Sequence, residues 1–67
     1  MKKYKIEIYY KDELIISKEE DILISIYNIY EKWKRDYKEK NYKYSFDVFF
    51  YKNIDGEYKI KNPLNIE

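Results

Sequence analysis

The chain opens with strict alternation of apolar and polar residues. Within residues 3–10, one side carries Tyr4, Ile6, Ile8 and Tyr10, and the other carries Lys3, Lys5, Glu7 and Tyr9. This period of two is typical of a half-buried β-strand. Polar residues at 11–13 separate this segment from a short apolar run at 14–17, so the pattern predicts a first hairpin.

The register of this hairpin depends on the length of its loop. A three-residue loop at residues 11–13 would place Tyr10 opposite Leu14 and Ile8 opposite Ile16. A two-residue loop would put the apolar faces of the two strands out of phase. We therefore predict the three-residue loop.

The period changes over residues 18–40, which are predicted to form a helix. Ser17 and Glu20 match a capping box, with Ser17 as the N-cap. Acidic residues follow at the start and basic residues at the end, which complements the helix macrodipole. A wide stripe is expected to face the core, and it comprises Ile22, Leu23, Ile26, Ile29, Tyr30, Trp33 and Tyr37.

Alternation returns over residues 42–52 and 57–61, which are predicted to be the third and fourth strands. The inward positions of the third strand would be Tyr44, Phe46, Val48 and Phe50. Residues 53–56 match a type I turn followed by a left-handed Gly56, a bulged hairpin that pairs Phe50 with Ile60 and Lys52 with Tyr58. Residues 62–67 are expected to be a loose tail.

Together these elements predict one α+β domain over residues 1–67. The expected architecture is ββαββ, a four-stranded antiparallel sheet with one amphipathic helix packed on one face. A strand order of 2-1-3-4 keeps all neighbouring strands antiparallel.

Composition removes most catalytic chemistry. The chain has no histidine and no cysteine, so the usual general bases, thiol nucleophiles and zinc ligands are missing, and one glycine excludes a phosphate loop. We expect no enzymatic activity, no cofactor and no metal. Neither a signal peptide nor a membrane span is evident, so we expect a cytoplasmic protein that does not bind membranes.

The uncovered sheet face is the first candidate binding surface. It would carry Tyr9, Phe49 and Tyr51 among lysines, namely Lys3, Lys5, Lys43, Lys59 and Lys61. Aromatic rings interleaved with cations are typical of single-stranded nucleic-acid platforms. Cross-strand stabilisation explains the same rings without any ligand. A net charge of +1 and acidic residues on the same face argue against a dedicated nucleic-acid binder.

Two further surfaces are candidates for protein contacts. On the helix, Ile24 points away from the core stripe beside Tyr27, Glu31 and Arg35, a patch of the kind found in small interfaces. In the sheet, the short apolar second strand would offer its edge for strand addition, and a homodimer paired through this edge is a further hypothesis.

In size and in tyrosine-rich composition the chain resembles very small proteins encoded by bacteriophages and mobile elements. The resemblance implies a stoichiometric inhibitor of host machinery, such as a CRISPR-Cas or other defence complex, and assigns no site residues. The leading hypothesis is therefore a non-enzymatic protein-binding module. The alternative is a small single-stranded RNA-binding domain that uses the exposed sheet aromatics and lysines.

Overall fold

A computed structural model describes residues 1–38, 40 and 45–61. Two strands, β1 (Tyr4–Tyr10) and β2 (Glu13–Glu20), precede the helix α1 (Leu23–Trp33), which continues into a π-helical segment, Lys34–Lys38. Two more strands follow, β3 (Phe46–Ile54) and β4 (Glu57–Ile60). All four form one antiparallel sheet in the order β2-β1-β3-β4. The predicted α+β class and strand order are confirmed.

In the first hairpin Ile8 pairs with Ile16 as predicted, but the length of the turn differs from the prediction. Its turn has two residues, Lys11 and Asp12, and both have positive φ. Tyr10 therefore faces Glu13 rather than Leu14, and the predicted three-residue loop is wrong. A β-bulge between Ile8 and Tyr9 inserts one extra residue into β2 and restores the phase of the apolar faces.

The second hairpin also has a tighter turn than predicted. Asp55 and Gly56 form its two central residues, with φ values of 53° and 84°. Tyr51 pairs with Ile60 and Asn53 with Tyr58, so the predicted pairing of Phe50 with Ile60 is wrong by one residue. Because side chains alternate along a strand, this shift moves the side chains of β4 to the opposite face.

The predicted capping box does not form. Ser17 and Glu20 lie in β2, where they pair with Glu7 and Tyr4 of β1. The helix instead begins at Leu23 after Ile22, which provides no side-chain cap. Extending β2 adds several backbone pairs to a central strand, whereas a capping box satisfies only two helix donors. Backbone pairing between β2 and β1 is therefore favoured over the capping box at residues 17–20.

The core lies between α1 and one face of the sheet. It consists of Ile6, Ile8, Ile26, Trp33 and Phe50, with Tyr4, Ile16, Ile29, Tyr30, Phe46 and Val48 packed against it. Ile22, predicted to be in the core, is 61% exposed because it precedes the helix. Tyr37 is 48% exposed, although its ring contacts Phe46 edge to face. The positions of Tyr44, the start of the predicted third strand and the predicted tail lie outside the described residues.

No helix among the residues that the structure describes is long and apolar enough to cross a membrane.

Candidate binding site on the aromatic face of the sheet

The sheet face opposite α1 carries the candidate site. Alternation along the strands places Glu7 and Tyr9 of β1 beside Phe49 and Tyr51 of β3. The observed register of the second hairpin adds two side chains of β4 to this surface. We define the aromatic face by its members, Lys5, Glu7, Tyr9, Phe49, Tyr51, Tyr58 and Ile60.

Glu7 is the centre of the polar contacts on this face. Its Oε1 atom accepts hydrogen bonds from the hydroxyls of Tyr51 at 2.8 Å and Tyr9 at 3.1 Å. Its Oε2 atom lies 3.0 Å from the Lys5 ammonium, and both side chains are largely shielded from solvent. One carboxylate therefore holds two aromatic side chains and one cation in fixed positions.

The ionisation of these groups follows from their contacts. Burial raises the pKa of the Glu7 carboxyl, but hydrogen bonds from Lys5, Tyr51 and Tyr9 outweigh burial and leave the pKa below its usual value. Burial first, and then the bond to Glu7, raise the pKa of Tyr51 to about 12. The hydrogen bond to Glu7 likewise raises the pKa of Tyr9. At neutral pH the carboxylate thus accepts from protonated phenols.

Lys5 and Tyr58 lie at one end of the aromatic face. The Lys5 ammonium lies 5.7 Å from the centroid of the Tyr51 ring and 5.3 Å from that of Tyr58. The Tyr58 hydroxyl donates to Glu19 at 2.7 Å and also lies 2.9 Å from the Lys2 carbonyl oxygen. Burial, followed by the bond to Glu19, raises the pKa of Tyr58 to about 12. Through its contacts with Glu7 and with the rings of Tyr51 and Tyr58, Lys5 is already engaged within the molecule.

A hollow opens at the other end of the aromatic face. Its volume is about 390 Å³, and it is lined by Tyr9, Asp12, Asp47, Phe49, Tyr51 and Ile60. The rings of Tyr9 and Phe49 contact each other edge to face at 5.7 Å between centroids. Aromatic and aliphatic groups form its walls, and the two aspartates supply negative charge. We call this feature the Phe49 hollow.

The structure brings together four of the predicted sheet-face residues: Lys5, Tyr9, Phe49 and Tyr51. Lys43 lies outside the described residues. Lys59 pairs with Lys52 and so belongs to the opposite face, whereas the sequence placed it among the exposed aromatics. Sequence reasoning missed Tyr58 and Ile60 as members of the site. The dipeptide Asp55-Gly56 was the signal that could have found them, because it favours a two-residue type I′ turn.

The predicted helix patch lies on the other side of the molecule from the aromatic face. Ile24 is 55% exposed, and Tyr27 and Glu31 are half-buried. Arg35 is exposed and lies 3.5 Å from the adjacent Asp36 in the π-helical segment. Ile24 and Arg35 are therefore accessible, whereas Tyr27 and Glu31 are only partly so.

A second hollow, of about 340 Å³, lies between β2 and α1, and its lining is Ile16, Lys18, Ile29, Lys32, Trp33 and Asp36. Trp33 is 5% exposed, and its indole Nε1 finds no acceptor among the described residues. The lining mixes two cations with one carboxylate. It therefore has no dominant charge.

The polar groups at the centre of the aromatic face are engaged with one another. No group of three or more acidic side chains able to hold a metal occurs among the described residues. Glu7 is engaged in three contacts, and the neighbouring phenols remain protonated at neutral pH. No protein-family model matches the chain, and no curated protein or solved structure is significantly similar to it.

Proposed function

We propose that the protein is a non-enzymatic protein-binding module whose main contact surface is the aromatic face. The observation that carries this proposal is the fixed position of Tyr9 and Tyr51, both of which donate to Glu7. Side chains that are ordered before binding lose little conformational entropy on association. Tyrosine also combines a large apolar area with a polar tip, which is why it is frequent at interfaces.

Charge distinguishes this proposal from the nucleic-acid alternative. Lys5, the cation that belongs to the aromatic face, is paired with Glu7 and covers two tyrosine rings. Asp12 and Asp47 line the hollow beside the remaining rings and would repel phosphates. Stacking platforms need open ring faces and a positive groove. The arrangement therefore supports a protein partner better than single-stranded RNA.

Ile24 and Tyr27 offer a second contact surface for the same function. Their patch faces away from the sheet, so one partner could occupy it without covering the aromatic face. A partner that used this patch alone would leave the ordered tyrosines without a role. We therefore place it second.

The narrower form of the proposal is a stoichiometric inhibitor of host machinery encoded by a phage or mobile element. This form is supported by the resemblance in size and composition, together with the aromatic face described above. An inhibitor of this kind would act by covering a functional site of its target. Any partner identified by the experiment below would therefore be assayed for loss of its own activity.

The experiment is selection of peptides from a displayed random library on immobilised protein. We expect enriched peptides to bind wild type and the helix-patch variant Ile24→Asp equally. Phe49→Ala should weaken them at least about tenfold, because truncating a central aromatic anchor commonly costs more than 1.4 kcal/mol. Circular dichroism would confirm that both variants are folded.

Three outcomes would count against the proposal. Peptides that lose binding in Ile24→Asp but keep it in Phe49→Ala would move the contact surface to the helix. Binding of single-stranded RNA at low salt that falls steeply with added salt and disappears in Phe49→Ala would favour the nucleic-acid alternative. Absence of any enriched peptide would count against a peptide-binding module.

A further inference from the structure

We propose that the Phe49 hollow receives a positively charged side chain of the partner, with arginine as the best fit. This inference rests on the proposed function, because the cation would belong to the protein bound on the aromatic face. It specifies the chemistry of the group that enters the hollow.

The first argument is unbalanced charge. Asp12 and Asp47 both line the hollow, and neither forms an ion pair within the part of the chain that the structure describes. The nearby Lys5 ammonium is already paired with Glu7 at 3.0 Å and is shared between the Tyr51 and Tyr58 rings. A cation entering the hollow would therefore meet two carboxylates that form no ion pair with any described residue.

The second argument is the aromatic lining. Tyr9, Phe49 and Tyr51 supply π-systems, whose negative faces attract cations. Ile60, which is 54% exposed, supplies aliphatic surface at the same hollow. Arginine and lysine carry apolar stems that pack along such surfaces while the charged end contacts polar groups. The lining therefore matches both parts of one long cationic side chain.

Arginine is the better match for two physical reasons. Its planar guanidinium stacks on aromatic rings, and it presents several donors in a fixed fork that suits carboxylates. It also keeps a weaker hydration shell than an ammonium group, so less solvation is lost on entry. At about 390 Å³, the hollow lies near the lower end of the range found for small-ligand pockets, roughly 300–1,000 Å³.

The experiment is an NMR titration of the whole chain with N-acetyl-arginine amide. The matched probe is N-acetyl-citrulline amide, which has nearly the same shape and no charge. We expect saturable shift changes at Tyr9, Asp47, Phe49 and Ile60 with the arginine probe. The citrulline probe should bind at least about tenfold more weakly, as expected when cation–π and carboxylate contacts are both lost.

Variants with equal changes in net charge separate a local site from a general field. The double variant Asp12→Asn/Asp47→Asn should lose binding of the arginine probe. The control, Asp36→Asn/Asp55→Asn, changes the net charge equally at exposed positions outside the hollow and should bind like wild type. Equal losses in the two double variants, equal binding of the two probes, or shifts located elsewhere would overturn the inference.

The failure of this inference is distinguishable from failure of the proposed function. Peptides selected on the aromatic face would be resynthesised with citrulline in place of each arginine and glutamine in place of each lysine. If binding survives these replacements and remains sensitive to Phe49→Ala, the cation hypothesis is wrong and the protein-binding function stands. Saturable binding of the arginine probe without any selected peptide would support the hollow and count against the wider function.

Discussion

Among individual side chains, Glu7 links the two hairpins. It lies in the central strand β1 and accepts a hydrogen bond from Tyr51 of β3, while Lys5 neutralises its charge. A charged group in this position is stabilising only because Lys5, Tyr9 and Tyr51 donate to it. The sequence offered thirteen acidic residues, and nothing in their spacing singled out this one.

Replacing Glu7 by Gln should lower the free energy of unfolding by about 1–2 kcal/mol at neutral pH, since charge-assisted hydrogen bonds and an ion pair are lost. The folded-state pKa of Glu7 lies below the usual 4.5, so its contribution is complete above pH 4.5 and is lost as pH falls through the folded-state value. Urea unfolding at several pH values would measure this. The difference between wild type and Glu7→Gln should shrink on acidification.

The matched control for this change is Glu57→Gln. Glu57 also pairs with a lysine two residues away, but both side chains of this pair are exposed. Its replacement should change stability by less than about 0.5 kcal/mol. Equal effects of the two substitutions would mean that the Glu7 contacts contribute nothing specific.

Trp33 is buried as the helical stripe predicted, but the hydrogen bonding of its indole N–H was not evident from that pattern. Its ring packs edge to face against Phe46 at 5.3 Å between centroids, and its Nε1 atom has no acceptor among the described residues. A buried donor without a partner opposes the stabilisation that the ring provides.

Trp33→Phe should therefore cost much less than Trp33→Ala. Phenylalanine keeps most of the ring contacts and removes the unpaired donor, so we expect a loss of about 1 kcal/mol or less, against roughly 3–5 kcal/mol for alanine. Far-ultraviolet circular dichroism in urea is the measurement, because Trp33 is the sole tryptophan of the sequence. Equal losses of stability in the two variants would contradict the expectation that phenylalanine keeps most of the ring contacts and removes an unfavourable donor.

Among the elements, the two hairpin turns share one backbone geometry with different residues. Lys11 and Asp12 have φ values of 50° and 67°, and Asp55 and Gly56 have 53° and 84°. Positive φ is favourable for glycine and is strained for lysine. Glycine thus occupies the second central position in only one of the two turns.

Opposite signs are therefore expected for two substitutions at equivalent turn positions. Asp12→Gly should stabilise the chain by up to about 1 kcal/mol, because it relieves positive φ at this position. Gly56→Ala should destabilise it by about 1 kcal/mol through backbone strain alone, since the added Cβ has no atom within 4 Å. Thermal unfolding of both variants tests this, and changes of the same sign would contradict the shared geometry.

The N-terminus of α1 lacks a side-chain cap. Ile22 has the extended backbone of an N-cap residue, with φ −116° and ψ 127°, but offers no side-chain acceptor. It is also 61% exposed, so its side chain contributes little burial.

We expect Ile22→Ser to raise stability by about 0.5–1 kcal/mol, because the hydroxyl would accept from a free N–H group of the first helical turn. Ile22→Ala serves as the control, since it removes the same exposed side chain without adding an acceptor. Denaturation midpoints of the two variants should differ in favour of serine. A serine variant no more stable than the alanine variant would contradict the assignment of Ile22 as N-cap.

For the whole molecule, the exposed edge of β2 is the place where association with a second copy of the chain is expected. Within the part of the chain that the structure describes, β2 pairs only with β1, and it runs over eight residues with Leu14 and Ile15 exposed. The sequence suggested a short apolar edge, whereas the strand also contains Lys18 and three glutamates and is interrupted by a bulge. Charges and bulges both oppose pairing between edges.

We therefore retain the homodimer only as a weak, concentration-dependent association. Light scattering should give a monomer mass at low concentration and a rising average mass at high concentration. Ile15→Lys should suppress that rise, because it adds a charge to the edge, and Ile24→Lys on the helix should not. A constant monomer mass at every concentration would rule the association out.

Local patterns were enough to predict the element types and the α+β class, because alternation and helical periodicity record which side of each element is buried. Ile6, Ile8, Ile26 and Phe50 were placed in the core for that reason, and the structure buries all four. Tyr9, Phe49 and Tyr51 were likewise placed on the uncovered face of the sheet. These features require only the repeat of each segment.

Register and element boundaries depended on contacts between distant segments. The bulge in β2 lets a two-residue turn keep Ile8 opposite Ile16, and pairing with β1 draws residues 18–20 out of the predicted helix. In the second hairpin, one residue of register decides that Tyr58 and Ile60 join the aromatic face and that Lys59 leaves it. Ile60 lines the Phe49 hollow because of that choice, since a strand's side chains change face with each single-residue shift.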